Sequence, residues 1–542
     1  MKKSNILILL ASVSLLFSSC QDMLDTNPTT EVSGSNLNTQ EGLSLALNGI
    51  YASMYRKTDY LAANNDQCFG YMSLVMAADL MGEDMVQTAK GPGWFWRDYI
   101  YENRQRYTSK IWRCYYVWMY LYKIINNANA IIEKQHVASG DANEIKNIVG
   151  QAYALRAYSY FMLIQFFQQT YKGHENLPGV PIYTQSTTIS SEYKGRGTVE
   201  ETYNQIKDDL KESLLLLKES TIEQKHKSHL DYYAVSLLQA RVALVMNDWT
   251  LALSSAEEAI KKPGCTMLSM QEATITKGIY SKSNCVQGST PFNTVASSDV
   301  LWGAEITSTQ TTGYRSLYSQ MDACTNVYYA AEAPKCISNW LYNQIPDSDV
   351  RKGWWNGNIN KPASSWGYGP DINYNQWKFQ WKNQSAQTGD YVYMRMEEAY
   401  LIKAESQCRL SNFDEARKTL MKLGSLRDTN FQSRLDLRTD SNEQTYGSVG
   451  TTVTLMDEIL LQRRIELWGE VGRIFDIMRL KMNWTRYWSV NGEKSNHTDV
   501  LSKYPVYLSI PSDYIECILM IPQDEIDQNP YINEENQNPY NK

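Results

Sequence analysis

The sequence predicts a mainly α-helical fold of paired helices, interrupted by one large irregular lobe. Three observations carry this: long stretches with apolar residues spaced three and four apart, an internal helix–turn–helix repeat, and a Gly/Ser/Asn-rich stretch between the repeats that lacks helical period. The 542 residues suffice for a large core, and 43 % hydrophobic with 20 % charged residues is ordinary for a folded chain.

At the N-terminus, Lys2-Lys3 precedes an apolar run from Ile6 to Phe17 and then Ser18-Ser19-Cys20. A basic start, a short apolar stretch and small residues before a cysteine are the parts of an export signal, and the run is too short to span a bilayer. Residues 1–19 therefore read as a signal peptide. Cys20 reads as the lipidated first residue of the mature chain, with Phe17 where Leu is more usual. Residues 20–38 form a polar tether, so the protein is expected to be held by lipid and not embedded. Loss of Lys2 and Lys3 takes the formal charge from −7 to −9, which argues against nucleic acid as a partner.

The body, residues 39–542, reads as one domain. Asn38 is expected to open the first helix, with Glu41 completing a capping box. Further helices are predicted around Ile111–Ile132 and Ala142–Gln169, the second apolar nearly all round and so buried. Leu177-Pro178-Gly179-Val180-Pro181 ends that region. Tyr232 to Lys262 then reads as helix, turn, helix, and a shift of 164 positions lays Ala404 on Ala240, Asn412-Phe413 on Asp248-Trp249 and Ala416 on Ala252. Small residues 12 apart across a short turn let two helices cross closely, as in tetratricopeptide-like hairpins. Residues 265–389 form the loop-rich lobe, with helical period only at Ile337–Gln344. Helical pattern returns at Tyr391–Leu410, Asp414–Leu423 and Met456–Lys481. The scaffold thus comprises about 39–264 and 390–542.

Of the cysteines after Cys20, Cys114 and Cys408 sit in helical pattern and read as small buried hydrophobes. Cys265/Cys285 and Cys324/Cys336 are the pairs open to oxidation in an exported chain, though spacing does not decide connectivity. No cofactor and no metal site is predicted: His226-x-x-His229 has metal-ligand spacing but lies in a Lys-rich turn with no third ligand nearby.

Several segments, in order, resemble the SusD/RagB family of Bacteroidetes outer-membrane lipoproteins. They are Asp22-Met23-Leu24-Asp25; Leu155-Arg156-Ala157-Tyr158 with Tyr160-Phe161; Gly179-Val180-Pro181; Thr198-Val199-Glu200-Glu201; and Asp347-Ser348-Asp349-Val350-Arg351. Glu397-Glu398-Ala399-Tyr400-Leu401 follows, then Arg463-Arg464-Ile465-Glu466-Leu467 with Gly469-Glu470, Arg473, Phe475-Asp476 and Arg479, and finally Ile521-Pro522-Gln523 with Gln537-Asn538-Pro539-Tyr540. Gln462 stands where the family has Glu, and Val471-Gly472 alters its spacing. The resemblance implies a tetratricopeptide-like scaffold that lids a SusC-type TonB-dependent barrel transporter at the outer membrane, facing the cell exterior. It also implies glycan binding by loops, without catalysis.

Stacking on sugar C–H faces needs aromatic platforms, and the chain carries 38 Tyr and 15 Trp against 11 Phe. Trp94 and Trp96 follow Lys90-Gly91-Pro92-Gly93, a turn that cannot lie inside a helix, and match roughly where the family carries a stacking Trp; Asp79 is a candidate polar contact. Tyr314, Tyr318, Tyr328 and Tyr329 lie where the family places further platform aromatics. Trp354, Trp355 and Trp366 are glycine-flanked and read as ligand-facing or transporter-facing. Arg463-Arg464 reads as a packing salt-bridge element. Asp347 and Asp349 are the one carboxylate doublet open to a glycosidase reading, yet they sit in the D-x-R element. Capture of peptides or another nutrient by the same architecture stays open, as does, behind both, a helical glycoside hydrolase.

Overall fold

The computed structural model describes residues 36–57, 61, 65–101, 110–224, 226–281, 284–324, 328–361, 370–447, 449–490, 492–501, 509–511 and 517–538. The signal peptide, Cys20, most of the tether, Trp366 and Pro539-Tyr540 lie outside them, as do the side chains of Cys285, Tyr328 and Tyr329.

The scaffold begins with α1 (Gln40–Ser53), whose cap is Thr39, not Asn38: the Gly42 amide donates to Thr39 Oγ1. Helix α2 (Tyr71–Leu80) is buried along its whole length. Helices α3 (Trp112–Ile132), α4 (Ala142–Phe167) and α5 (Val199–Glu219) pack side by side. Asp141 caps α4 through the amides of Asn143 and Glu144. The near-continuous apolar run of α4 is buried on almost every face after Ile148, as its sequence predicts. The Thr198/Glu201 capping box opens α5. Arg156, in the arginine-aromatic motif, is a staple: it donates to both Asp209 oxygens at 2.9 and 2.6 Å and to Asn129 Oδ1 at 2.7 Å, joining α4 to α5 and α3.

The repeat is structural. Helices α6 (Tyr232–Met246) and α7 (Trp249–Ile260) form one hairpin; α8 (Met396–Arg409) and α9 (Phe413–Gly424) form the other, and α7 packs on α8. Asn247 and Ser411, 164 positions apart, both adopt left-handed backbone at φ 60° and 61°. In each turn the next amide reaches back five residues, Asp248 to Ala243 O and Asn412 to Gln407 O, which satisfies a helix-end carbonyl. Ala240, Ala252, Ala404 and Ala416 are fully buried where the helices cross.

Two predicted helical stretches are corrected. Tyr391–Arg395 is a strand (β4) preceding α8, paired antiparallel with β2 (Val300–Ala304). All five of its residues are buried, and a short continuous apolar run of this kind has no period that separates strand from helix. Met456–Lys481 is two helices, α10 (Leu455–Glu466) and α11 (Arg473–Arg479), separated where Gly469 takes φ +80° against the Phe379 ring. The lobe is stitched to the scaffold twice, by β2 with β4 and by β1 (Met85–Gln87) with β3 (Lys335–Ile337). Ile337–Gln344 accordingly splits into the end of β3 and a short helix, Asn339–Asn343.

The family-like motifs of α8, α10 and α11 converge in a buried ionic core. Glu466 accepts from Arg427 at 3.0 and 3.1 Å, Arg395 at 3.2 Å and Arg351 at 3.2 Å, while Asp349 holds Arg351 at 2.7 Å. Those three guanidiniums hold the Glu466 carboxyl far below the usual carboxylate range. Arg464 pairs with Asp84 at 2.6 Å, Arg463 with Asp476 at 2.8 Å and Arg479 with Glu405 at 2.7 Å. Arg463-Arg464 is thus the packing element that the sequence indicates. Neither expected cysteine pair forms: Cys265 and Cys336 are free and buried, whereas Cys324 is disulfide-bonded. Cys114 and Cys408 are buried thiols, as read.

Candidate functional site

A chain of contacts joins the loops that carry the first two aromatic clusters. The Gly91-Pro92-Gly93 turn closes with the Gly93 amide on Lys90 O at 2.9 Å. Phe95 then takes a left-handed φ of 57°, a conformation that costs a side-chain-bearing residue about 1–2 kcal/mol. It is held there by its amide donating to Gln67 Oε1 at 2.5 Å and by its ring meeting Phe69 and Arg113. This reversal gives the two flanking tryptophans different environments. Trp94 stays half-buried at the surface, while Trp96 is 2 % exposed and packs against Tyr99 at 5.7 Å.

The neighbouring residue to Gln67 brings in the second cluster. Asp66 Oδ1 accepts from Arg315 Nε at 2.6 Å, and the Arg315 guanidinium lies 4.8 Å from the Tyr314 ring centre. Tyr314 is 42 % exposed. Its loop is fixed on both sides: Thr311 donates to Gln387 O, and Ser319 donates to Tyr314 O from the helix Leu317–Met321, which a Ser316/Ser319 capping box opens. Gly91 approaches Glu332 and Ala333, at the end of the short helix that Tyr328 and Tyr329 begin. Trp94, on the loop that Gln67 holds through Phe95, and Tyr314, beside the Arg315–Asp66 pair, are thus two partly exposed rings on loops joined by a cation and a carboxylate. That is the equipment for stacking on a pyranose and hydrogen bonding its hydroxyls.

The other candidates lie beneath this surface or elsewhere. Tyr318 is fully buried, donates to the Asp390 carbonyl and packs against Trp381 at 5.3 Å, so it is part of the floor under Tyr314. Trp96 is likewise interior, buried against Tyr99. Trp354 and Trp355 are both fully buried. Trp354 Nε1 donates to Ala273 O at 2.7 Å with its ring against Phe292, and Trp355 meets Trp468 edge-on. The Gly353 before them and the Gly357 after them mark chain turns but not exposure. Asp79 is buried, accepts the Arg473 amide at 2.7 Å and has a second oxygen with no hydrogen-bond partner, so burial pushes its carboxyl up to about 8. Five of the sequence's candidates are thus interior packing or capping groups. Trp366 and the rings of Tyr328 and Tyr329 fall outside the described residues.

Arg315 and Asp66 were not singled out in the sequence. The one signal was the basic residue directly after Tyr314; its acid partner is 249 positions away. A separate open cavity of about 420 Å³ lies between α1 and the segment Gly303–Gln310 that leads towards Tyr314. His229 lines it, bonded through Nε2 to Asn48 Oδ1 at 2.8 Å. Among the described residues no cluster of three or more His, Cys, Asp or Glu is placed to hold a metal. The carboxylate doublet is split: the Asp347 side chain is wholly exposed and Asp349 is sealed in the ionic core. Sealed away and paired with Arg351, Asp349 cannot reach a glycosidic bond beside Asp347.

Among the described residues no helix is long and apolar enough to cross a membrane. Residues 22–244 match the family model described as "Starch-binding associating with outer membrane", and residues 309–540 match the one described as "SusD family". No curated protein matches the chain. Among solved structures, a putative sugar binding protein from Bacteroides vulgatus is 25 % identical with a TM-score of 0.68, the alignment covering 93 % of this chain and 98 % of that one. A SusD-like carbohydrate binding protein from the same species gives 22 %, 0.69, 92 % and 98 %. Surface glycan-binding protein A from Bacteroides thetaiotaomicron gives 16 %, 0.62, 93 % and 100 %. The two family models share out most of the sequence between them, and those structures match its fold over more than nine-tenths of the chain: the chain belongs to the SusD/RagB family.

Proposed function

We propose that the protein is a cell-surface lipoprotein that binds an oligo- or polysaccharide at the Trp94–Tyr314–Arg315–Asp66 surface. It delivers that glycan to a SusC-type TonB-dependent transporter without chemically altering it. The observation that carries this reading is Tyr314: an exposed ring on a loop pinned by Asp66, Ser319 and Gln387, beside a second tryptophan-bearing loop. Two structural relatives are described as sugar or carbohydrate binders, and one as a surface glycan-binding protein, which supports the substrate class. The buried state of Asp349 and the pairing of Asp66 with Arg315 support binding without catalysis.

The test is electrophoresis of the purified mature protein through gels containing candidate polysaccharides, with reducing ends assayed in parallel. Retardation in at least one polysaccharide with no release of reducing ends is the expected result. Sustained release, abolished by one point substitution in the same protein, would make it a hydrolase. Retention by peptides and by no polysaccharide would favour the nutrient-capture alternative.

A further inference from the structure

A second recognition site lies on the helical scaffold. Trp118, Met119 and Tyr122 of α3, Tyr183 and Tyr193 of the loop between α4 and α5, and Glu525 of the short helix Gln523–Gln528 line an open cavity of about 180 Å³. We propose that this cavity is a socket for a basic side chain, Lys or Arg, presented by a protein partner.

The rings form walls and not a flat platform. Tyr122 stands 48° from Trp118 at 4.8 Å and 82° from Tyr183 at 6.1 Å. Rings set steeply around a hollow present several electron-rich faces to one point, the arrangement that attracts a compact cation with an apolar stem. A sugar would need hydroxyl partners, and the polar groups here are already committed within the protein. Tyr122 donates to Pro181 O at 2.8 Å, and the Tyr183 hydroxyl accepts the Lys194 amide at 3.0 Å. Asn129 donates to the carbonyls of Tyr183 and Gln185, and Asn126 accepts from Thr187.

Glu525 is the carboxylate among the described lining residues. Trp118 and Asn529 donate to it, yet burial still raises its carboxyl, so an incoming positive charge would be offset there. The protein's own Lys194 lies 5.7 Å from the Tyr183 ring centre, a cation on the face of one of the lining rings.

The surroundings fit a protein more than a free small cation. Met119, Tyr193 and Tyr531 are exposed apolar residues, and Gly195 brings the Tyr193 loop against Tyr531. Exposed apolar side chains grouped around a hollow mark a docking surface. The segment 521–538 that borders them carries Asp524, Glu525, Asp527, Glu534 and Glu535 and no Lys or Arg.

Saturation-transfer difference NMR with the mature protein tests the proposal. The probes are acetyl-lysine amide, its neutral isostere acetyl-norleucine amide, choline, glucose, and an acetylated Gly-Lys-Gly tripeptide amide. The lysine probes should show saturation that norleucine lacks, and Tyr193→Ala and Glu525→Gln should each weaken their binding by about tenfold with the melting temperature unchanged. If either variant melts earlier, Tyr193→Phe serves instead: it keeps the ring face and should bind as wild type. Equal saturation of norleucine, loss of the glucose signal in the same variants, or binding of choline but not of the tripeptide would each overturn it. The first would mean plain apolar adhesion, the second a saccharide site and the third a small-molecule site.

Discussion

Arg315 Nε lies 2.6 Å from Asp66 Oδ1, and this ion pair fastens the loop that presents Tyr314 to the segment that holds the Trp94 turn. Both partners are roughly a quarter exposed, so the pair contributes about 0–1 kcal/mol to stability. Its larger effect is on geometry, because it fixes one exposed ring relative to another.

Trp96→Ala should act on folding and not on binding. The ring is buried against Tyr99, and truncating a large buried aromatic costs about 3–5 kcal/mol. Chemical denaturation should show that loss, while the folded fraction keeps wild-type glycan retention. A stable variant with lost retention would return Trp96 to the binding surface.

Asp79→Asn should stabilise the protein at alkaline pH. With a folded pKa near 8 against 3.8 for an ordinary Asp, the carboxyl takes up a proton on folding between those values. Stability from this group is therefore full below about pH 4 and falls as pH rises to about 8. An amide carries no charge to bury, so the variant should gain about 1–3 kcal/mol at pH 8 and little at pH 4. Urea denaturation at the two pH values checks the sign; a gain confined to pH 4 would contradict it.

Arg427→Met should be severe. It leaves Glu466 and Glu397 in the ionic core with one cation fewer, and breaking a buried pair costs about 3–5 kcal/mol. The depressed Glu466 contributes stability above its unfolded pKa of about 4.5, lost as pH falls further. In Arg427→Met that acid-side loss should still begin near the unfolded pKa but be smaller and finish at higher pH than in wild type, which thermal melts between pH 3 and 6 would reveal as a shallower pH dependence.

Cys20→Ala should leave a folded, glycan-binding protein that no longer partitions with membranes. Labelling cells with a radioactive fatty acid checks this, and equal label in variant and wild type would remove the lipoprotein assignment.

The scaffold was legible in the sequence because its signals are local. The α4 apolar run, the Thr198/Glu201 box and the 164-residue repeat each specify structure within one or two helices. The site was less legible, since exposure is a property of what packs over a residue from far along the chain. Trp354 and Trp355 look exposed from their glycine neighbours, yet Phe292 and Trp468 bury them. Trp94 and Trp96 look alike in sequence, and only the left-handed Phe95 between them gives one a surface position and the other a core one. Asp66 finds Arg315 across 249 positions, beyond any motif.

The most direct test of the central claim is affinity electrophoresis of Tyr314→Ala, alone and with Trp94→Ala, in the polysaccharide that retards wild type. Loss of a central stacking anchor costs about 2 kcal/mol or more, roughly thirtyfold in affinity. The account predicts that Tyr314→Ala loses most of its retardation and the double variant all of it, both with unchanged melting temperature. Undiminished retardation of a stable double variant would contradict it and place the glycan elsewhere on the protein.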